Sequence, residues 1–428
     1  MAEESILLLL TLFAGLLFVF GSPILVIMSI WVLGAHLIYD FPLQSIGSSL
    51  FEGLNSFSLL AAPLFILTGD LIAGGGIARR MTNFSLAVLG WLRGGLGMAA
   101  IMTCGMFAAI SGSNSATTAT IGSITYPHMR EQKYGESFSA ATSAAGGVVG
   151  IIIPPSILFI IYGYLTSTPV SELFLAGVIP GILMTIVMLI ACFIVSRRRQ
   201  YGQIERFSLG NVARRTPGVS IAVLAATIVL WGIYSGAFSP TEAAAVTVMY
   251  CLFMGVCVTR ELKLRSLHKV ILRSGIIVGI IMPLVAISLL MQQMFAVIGV
   301  GQMISQFVGG LGGYYIVLFT CMAMVLISGT LLESIPNTVI MAPILAPVAI
   351  AAGVDPFHFA VVFMVGGAIG FITPPFGLNL YVAAGITGVS YLKIARAVGP
   401  YLVALLLIWV VIALVPQLAV YLTQFAGR

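Results

Sequence analysis

Apolar residues along this chain run in blocks of roughly 17–25 positions, the length an α-helix needs to cross a bilayer core, separated by short polar or glycine-rich joints. Residues 5–39 form one such run, broken at Gly21-Ser22-Pro23, which predicts two short spans. A polar stretch carrying Asp40, Glu52 and Asn55 follows, then a third span at about 56–73. Between Gly74 and Arg93 the apolar positions Met81, Phe84, Ala87, Val88 and Trp91 recur at helical spacing, the pattern of an amphipathic helix lying in the membrane interface. Residues 95–110 are apolar, but Ser111-Gly112-Ser113-Asn114-Ser115 follows. The next segment, Ala116 to Tyr126, ends at Pro127 and is too short and polar for a span of its own. The stretch 95–127 therefore reads as a re-entrant hairpin with its tip at Ser111–Ser115. Spans at about 138–162 and 173–195 lead to Arg197-Arg198-Arg199. Beyond them come spans at 219–236, 240–258 and 274–298, a hairpin at 312–349 with its tip at Ser328-Gly329-Thr330, a span at 358–385 and a last one at 398–422.

Two of these spans carry the same interruption. Gly146-Gly147-Val148-Val149-Gly150 runs into Ile153-Pro154-Pro155-Ser156, and Gly366-Gly367-Ala368-Ile369-Gly370 runs into Thr373-Pro374-Pro375-Phe376. The first glycines and the proline pairs both stand 220 residues apart (146 to 366, 154 to 374). Adjacent prolines remove two backbone donors and push the preceding residue out of the helical region. The span must break there, and the freed carbonyls need partners that lipid cannot provide. Paired broken helices in two halves are the sequence pointer to the site of a secondary transporter.

Composition and charge fit this reading. Only 7% of the residues are charged and 60% are hydrophobic, which defines an all-α polytopic membrane protein. Continuous apolar blocks exclude a β-barrel, whose strands alternate. The net charge of +6 marks loops on the cytoplasmic side rather than a nucleic-acid surface. With the amino terminus outside, every Lys and Arg except Arg428 falls on the cytoplasmic side. The same layout gives each half five spans and one hairpin, entering the membrane in opposite directions: two inverted-topology repeats. Residues 1–196 form the first, 197–217 a basic cytoplasmic linker, and 218–428 the second. The five cysteines lie in apolar runs without ligand spacing and read as small core residues. Met-Ala-Glu-Glu at the start has no basic region, so no cleaved signal is expected.

Interrupted helices turn carbonyl oxygens toward a cavity, which suits a hard cation such as Na+, and their N-termini turn N–H groups, which suit a carboxylate. Ser111, Ser113, Asn114 and Ser115, with Thr117 and Thr118, add neutral polar groups at the first tip, and Thr330 and Thr373 do so in the second half. For Thr117, Thr118 and the glycine pairs, close helix packing is an equal explanation. Glu333 is the leading functional carboxylate and bears either on the cation site or on a wetted hairpin surface. Asp70 sits near the inner end of its span, within reach of solvent, and Glu242 reads as a helix cap. No phosphate-binding loop, His-Glu-x-x-His motif or nucleophile–base pair is present, so ATP coupling and proteolysis are not expected, nor any bound cofactor.

An ordered set of segments carries a resemblance. Gly74-Gly75-Gly76-Ile77-Ala78-Arg79-Arg80-Met81, Arg93-Gly94-Gly95-Leu96-Gly97, the Ser111–Ser115 tip, Ile153-Pro154-Pro155-Ser156-Ile157, Leu173-Phe174-Leu175-Ala176-Gly177-Val178-Ile179-Pro180-Gly181, Ser239-Pro240-Thr241-Glu242-Ala243-Ala244-Ala245 and Thr373-Pro374-Pro375-Phe376-Gly377 occur in that order. The chain resembles the large membrane subunit of TRAP (tripartite ATP-independent periplasmic) transporters over essentially its whole length. The resemblance implies Na+-coupled uptake of an organic acid by an elevator mechanism in the bacterial inner membrane. It also implies a periplasmic substrate-binding protein and a small four-helix membrane subunit, the latter expected as a separate chain. It places one Na+ site where Ser111, Ser113 and Asn114 meet Gly150 and Ile153, and a second where Gly329 meets Gly370, Thr373 and Phe376. Ser115, Thr117, Pro154, Pro155, Ser156, Thr330, Glu333, Pro374 and Pro375 are then the residues expected to face the cargo. No Arg falls inside the predicted spans, so a cargo carboxylate is expected to rest on helix dipoles, hydroxyls and bound Na+. A stand-alone sodium–carboxylate symporter is the alternative; a scaffold or receptor subunit would have no use for paired broken helices.

Overall fold

The structure is a computed structural model that describes residues 2–74, 76–204, 206–300, 302–303 and 313–425. Gly75, the first residue of the second hairpin (312) and Arg428 lie outside the described residues. Among the described residues the regular structure is all helical. In order these are α1 (Ala2–Val19), α2 (Ile24–Ile38), α3 (Gln44–Leu54), α4 (Ala61–Gly74), α5 (Ile77–Leu89), α6 (Gly95–Ser111), α7 (Asn114–Glu131), α8 (Glu136–Gly147), α9 (Ile157–Thr166) and α10 (Val170–Arg199). Then come α11 (Leu209–Tyr234), α12 (Pro240–Phe253), α13 (Leu264–Ile298), α14 (Tyr314–Leu331), α15 (Ser334–Ala351), α16 (Pro356–Gly370), α17 (Leu378–Thr387), α18 (Tyr391–Ala397), α19 (Gly399–Leu414) and α20 (Gln417–Val420). Among the described residues, seven helices are long and apolar enough to cross a membrane. Several others, including α1, α2, α9 and α16, are shorter because glycine and proline joints cut them.

The centre of the molecule is built from the helices that precede the breaks. Every residue of α8 from Phe138 to Gly147 and of α16 from His358 to Gly370 is buried. Small side chains allow this in α8: its hydroxyls fold back on their own helix, with Thr142 Oγ1 donating to Phe138 O (2.8 Å) and Ser143 Oγ to Ser139 O (3.2 Å). α16 is clasped to α19, where Trp409 Nε1 donates to Val362 O (2.8 Å) and His358 Nε2 lies 2.9 Å from Ile412 O. Contacts between the two halves are reciprocal. α9, which follows the first break, packs on α15 of the second hairpin; α17, which follows the second break, packs on α7 of the first. A second, smaller core joins α4, α5, α6 and α11 through Leu71, Ile77, Met81, Phe107 and Ala222.

Several boundaries differ from the sequence reading. The polar stretch after Asp40 is helical as α3, with no buried residue, laid against α13. α7 continues through Pro127 to Glu131 instead of stopping at it. The amphipathic helix exists as α5, packed on α6 and α11; its buried residues are Ile77, Ala78, Met81, Thr82, Ser85 and Ala87, so Met81 and Ala87 of the predicted positions are buried, whereas Trp91 is exposed. The stretch read as a linker is helical at both ends, since α10 reaches Arg199 and α11 starts at Leu209. Cys104, Cys192, Cys251 and Cys321 are buried as expected, but Cys257 is exposed. Glu242 does cap α12: Ser239 Oγ accepts from its N–H while its Oε2 accepts from Ser239 N (2.8 Å), a reciprocal capping box.

Candidate functional site

At the first tip α6 ends at Ser111, Gly112 takes φ of 57°, and Ser113 caps α7 by accepting from Ala116 N at 3.4 Å. Thr117 Oγ1 donates to Ser113 O (2.6 Å) and lies 2.9 Å from Ser111 Oγ, so the tip is tied by its own hydroxyls. Asn114 Oδ1 accepts from Ser115 N (2.9 Å), and the Ser113 and Ser115 hydroxyls lie 3.4 Å apart. The first broken helix presses its glycines onto this tip. A Cβ on Gly150 would stand 2.6 Å from Ser113 O and 2.9 Å from Thr117 Oγ1. One on Gly147 would stand 2.8 Å from Asn114 O. The Ile153 side chain lies against Gly181 of α10. Pro154, Pro155 and Ser156 are buried behind the tip, with Ser156 Oγ donating to Ile151 O at 2.7 Å.

The second tip is not where the sequence placed it. Ser328, Gly329 and Thr330 lie in the last turn of α14, and the chain reverses at Leu332-Glu333. The Ser328 and Thr330 hydroxyls donate to Val325 O (3.2 Å) and Ile327 O (2.7 Å), which leaves the helix intact. Glu333, expected downstream of the tip, is the tip itself. It caps α15, with Oε2 accepting from Ile335 N at 3.1 Å and Oε1 accepting from the Ser334 hydroxyl. Gly329 and Gly370 do meet: a Cβ on Gly370 would lie 2.7 Å from Gly329 O, and one on Gly329 would lie 3.0 Å from Gly367 O. After this break Gly377 has φ of 57° and its N–H reaches Thr330 O at 3.4 Å. Thr373 Oγ1 donates to Ile369 O (2.8 Å), whereas Pro374, Pro375 and Phe376 are exposed, with Pro375 O accepting from the Tyr391 hydroxyl at 2.6 Å.

A cavity of about 90 Å³ opens where the two tips face each other. Ser111, Gly112, Ser113 and Ala116 come from the first tip, Ile157 from α9, and Glu333 and Ser334 from the second. Its other wall is Gly69 and Asp70 of α4 with Arg273 and Ile277 of α13. Of the residues expected to face cargo, only Glu333 lines this cavity; Ser115, Thr117, Ser156, Thr330 and both proline pairs do not. Two charged residues were missed as partners. Asp70 is only 13% exposed, accepts from Ser274 Oγ at 2.7 Å and lies 3.6 Å from Arg273 Nε, so protein groups rather than bulk solvent surround it. Arg273 sits within the long α13, which begins at Leu264 and not at 274, so this helix carries an arginine just ahead of the predicted span. The signal available was the unbroken helical pattern running back from 274 through Lys269.

Near the tips, Asn114 Nδ2, Thr118 Oγ1, Asn337 Oδ1 and Asn379 Oδ1 are buried without a hydrogen-bond partner among the described residues. Asn379 Nδ2 meanwhile donates to Ala144 O (3.2 Å), tying the second break to α8.

A multi-pass helical protein with two helices broken at Gly/Pro joints, packed on hairpins around a cavity, has the build of a membrane transporter. The fold matches the YdaH transporter of Alcanivorax borkumensis with a TM-score of 0.63 over 88% of each chain, at 14% sequence identity. The family described as "Tripartite ATP-independent periplasmic transporter, DctM component" matches residues 6–418. The chain belongs to this family of large TRAP permease components, which are transport subunits and not enzymes. It is 37% identical to the C4-dicarboxylate TRAP transporter large permease protein of Pseudomonas aeruginosa, over 90% of both chains. It is 32% identical to the sialic acid TRAP transporter large permease protein of Vibrio cholerae, over 87% of both.

Proposed function

We propose that this chain carries an organic acid, a C4-dicarboxylate, sialic acid or similar carboxylate, into the cell across the bacterial inner membrane, driven by Na+. The cargo arrives on a periplasmic binding protein, and a small four-helix membrane subunit assists. The observation that carries this reading is the seating of the first hairpin tip and of the end of α14 on the glycines of the broken helices, beside one cavity that Ser111, Ser113, Asp70 and Glu333 help to line. Carbonyls at Ser113, Gly329 and Gly367 crowd these joints, and the unpartnered oxygens of Thr118, Asn337 and Asn379 lie in the same elements. Neutral oxygens of this kind suit Na+. The reciprocal packing of α9 on α15 and α17 on α7 supports two inverted repeats whose hairpins and broken helices move together against α4 and α13, as an elevator.

The test is uptake into proteoliposomes of labelled succinate, N-acetylneuraminate and pyruvate, with the chain and its small subunit reconstituted together. Uptake that needs both an inward Na+ gradient and the binding protein is expected. Uptake by the chain alone would replace this reading with the stand-alone symporter, and uptake indifferent to Na+ would remove the coupling ion.

A further inference from the structure

Among the described residues lining the cavity, Arg273 supplies the only positive charge, against the carboxylates of Asp70 and Glu333. Glu333 is committed to its own helix start, where both oxygens accept hydrogen bonds. Asp70 gives one oxygen to the Ser274 hydroxyl and holds Arg273 only through Nε at 3.6 Å, beyond good hydrogen-bond length. The two terminal nitrogens of Arg273 therefore have no hydrogen-bond partner among the described residues, and the side chain is 69% exposed. A guanidinium with only a loose ion-pair contact at its inner nitrogen and its outer fork free presents the geometry that carboxylates bind in bidentate fashion.

We infer that Arg273, on the wall of the cavity formed by α4 and α13, anchors a carboxylate of the cargo through its free fork, with Asp70 as the competing anion at its inner nitrogen. The inference rests on the carboxylate-uptake reading above and names a residue for it. Ser111 and Ser113 lie across the cavity, so a cargo bridging fork and tip would touch both the α13 wall and the first hairpin. Asp70 competes for the same cation, so removing its charge strengthens the hold on an external carboxylate.

The experiment measures half-saturating acid concentration for exchange in proteoliposomes, together with thermal stabilisation of the purified complex by 10 mM succinate (the assay condition, roughly saturating for a millimolar site). Wild type, R273K, R273Q, D70N and the double variant D70N/R273Q are compared. R273Q should raise the half-saturating concentration roughly tenfold or more and abolish stabilisation by succinate, with R273K in between. D70N should lower that concentration or leave it unchanged, and D70N/R273Q should stay as impaired as R273Q. Wild-type values in R273Q, or their recovery in the double variant, would overturn the inference and reduce the pair to a structural salt bridge. If the wild-type complex neither transports nor is stabilised by any of the acids, the carboxylate reading itself falls, and this assignment with it.

Discussion

At the residue scale, the decisive positions are glycines whose missing side chain lets two backbones touch. Gly150 abuts the Ser113 carbonyl, and Gly370 abuts Gly329, so in both joints the neighbour is main chain that cannot rotate aside. Gly150→Ala and Gly370→Ala are expected to destabilise by about 1–3 kcal/mol through overpacking, read as a fall in thermal unfolding temperature, and to weaken stabilisation by Na+. Gly15→Ala is the control: nothing lies within 4 Å of a Cβ there, so stability should hold or rise. Unchanged unfolding in G150A and G370A would mean the joints are not seated as described. These glycines were legible in sequence because Gly-Gly and Pro-Pro are local signals that act on the chain carrying them. Asp70 and Arg273 were not, because their meeting depends on packing between helices some 200 residues apart, as the Ser274–Asp70 bond across 204 positions shows.

At the element scale, the two hairpins reverse by different devices. The first turns at a glycine with positive φ followed by a serine cap; the second turns where a glutamate caps the returning helix. Sequence reasoning found the first and misplaced the second, because Ser-Gly-Thr serves equally as a turn or as a helix end whose hydroxyls bond back to their own carbonyls. Glu333→Ala should therefore destabilise α15 by about 1 kcal/mol, visible as faster hydrogen exchange at Ile335 and Asn337. Glu333→Asp should keep the cap. Equal exchange in both variants would show that the carboxylate does not hold the turn.

At the scale of the whole molecule, charge sets orientation and the broken helices set the centre. The basic residues between Arg197 and Arg215 should face the cytoplasm. In a background without the five native cysteines, Ser208→Cys should react with an impermeant maleimide only from that side; labelling from the periplasm would invert the topology. The all-helical build and most element positions could be read from the spacing of apolar runs. The cavity could not, because it is assembled from α4, α9, α13 and both tips, elements that no local pattern relates.

The most direct test of the cavity as the transport route uses Ile277→Cys, on its α13 wall, in the same cysteine-free background. Uptake is measured before and after attachment of a bulky maleimide, with and without cargo and Na+ present during labelling. The account predicts that labelling stops uptake and that cargo with Na+ slows the labelling. Full uptake by the labelled protein would contradict it.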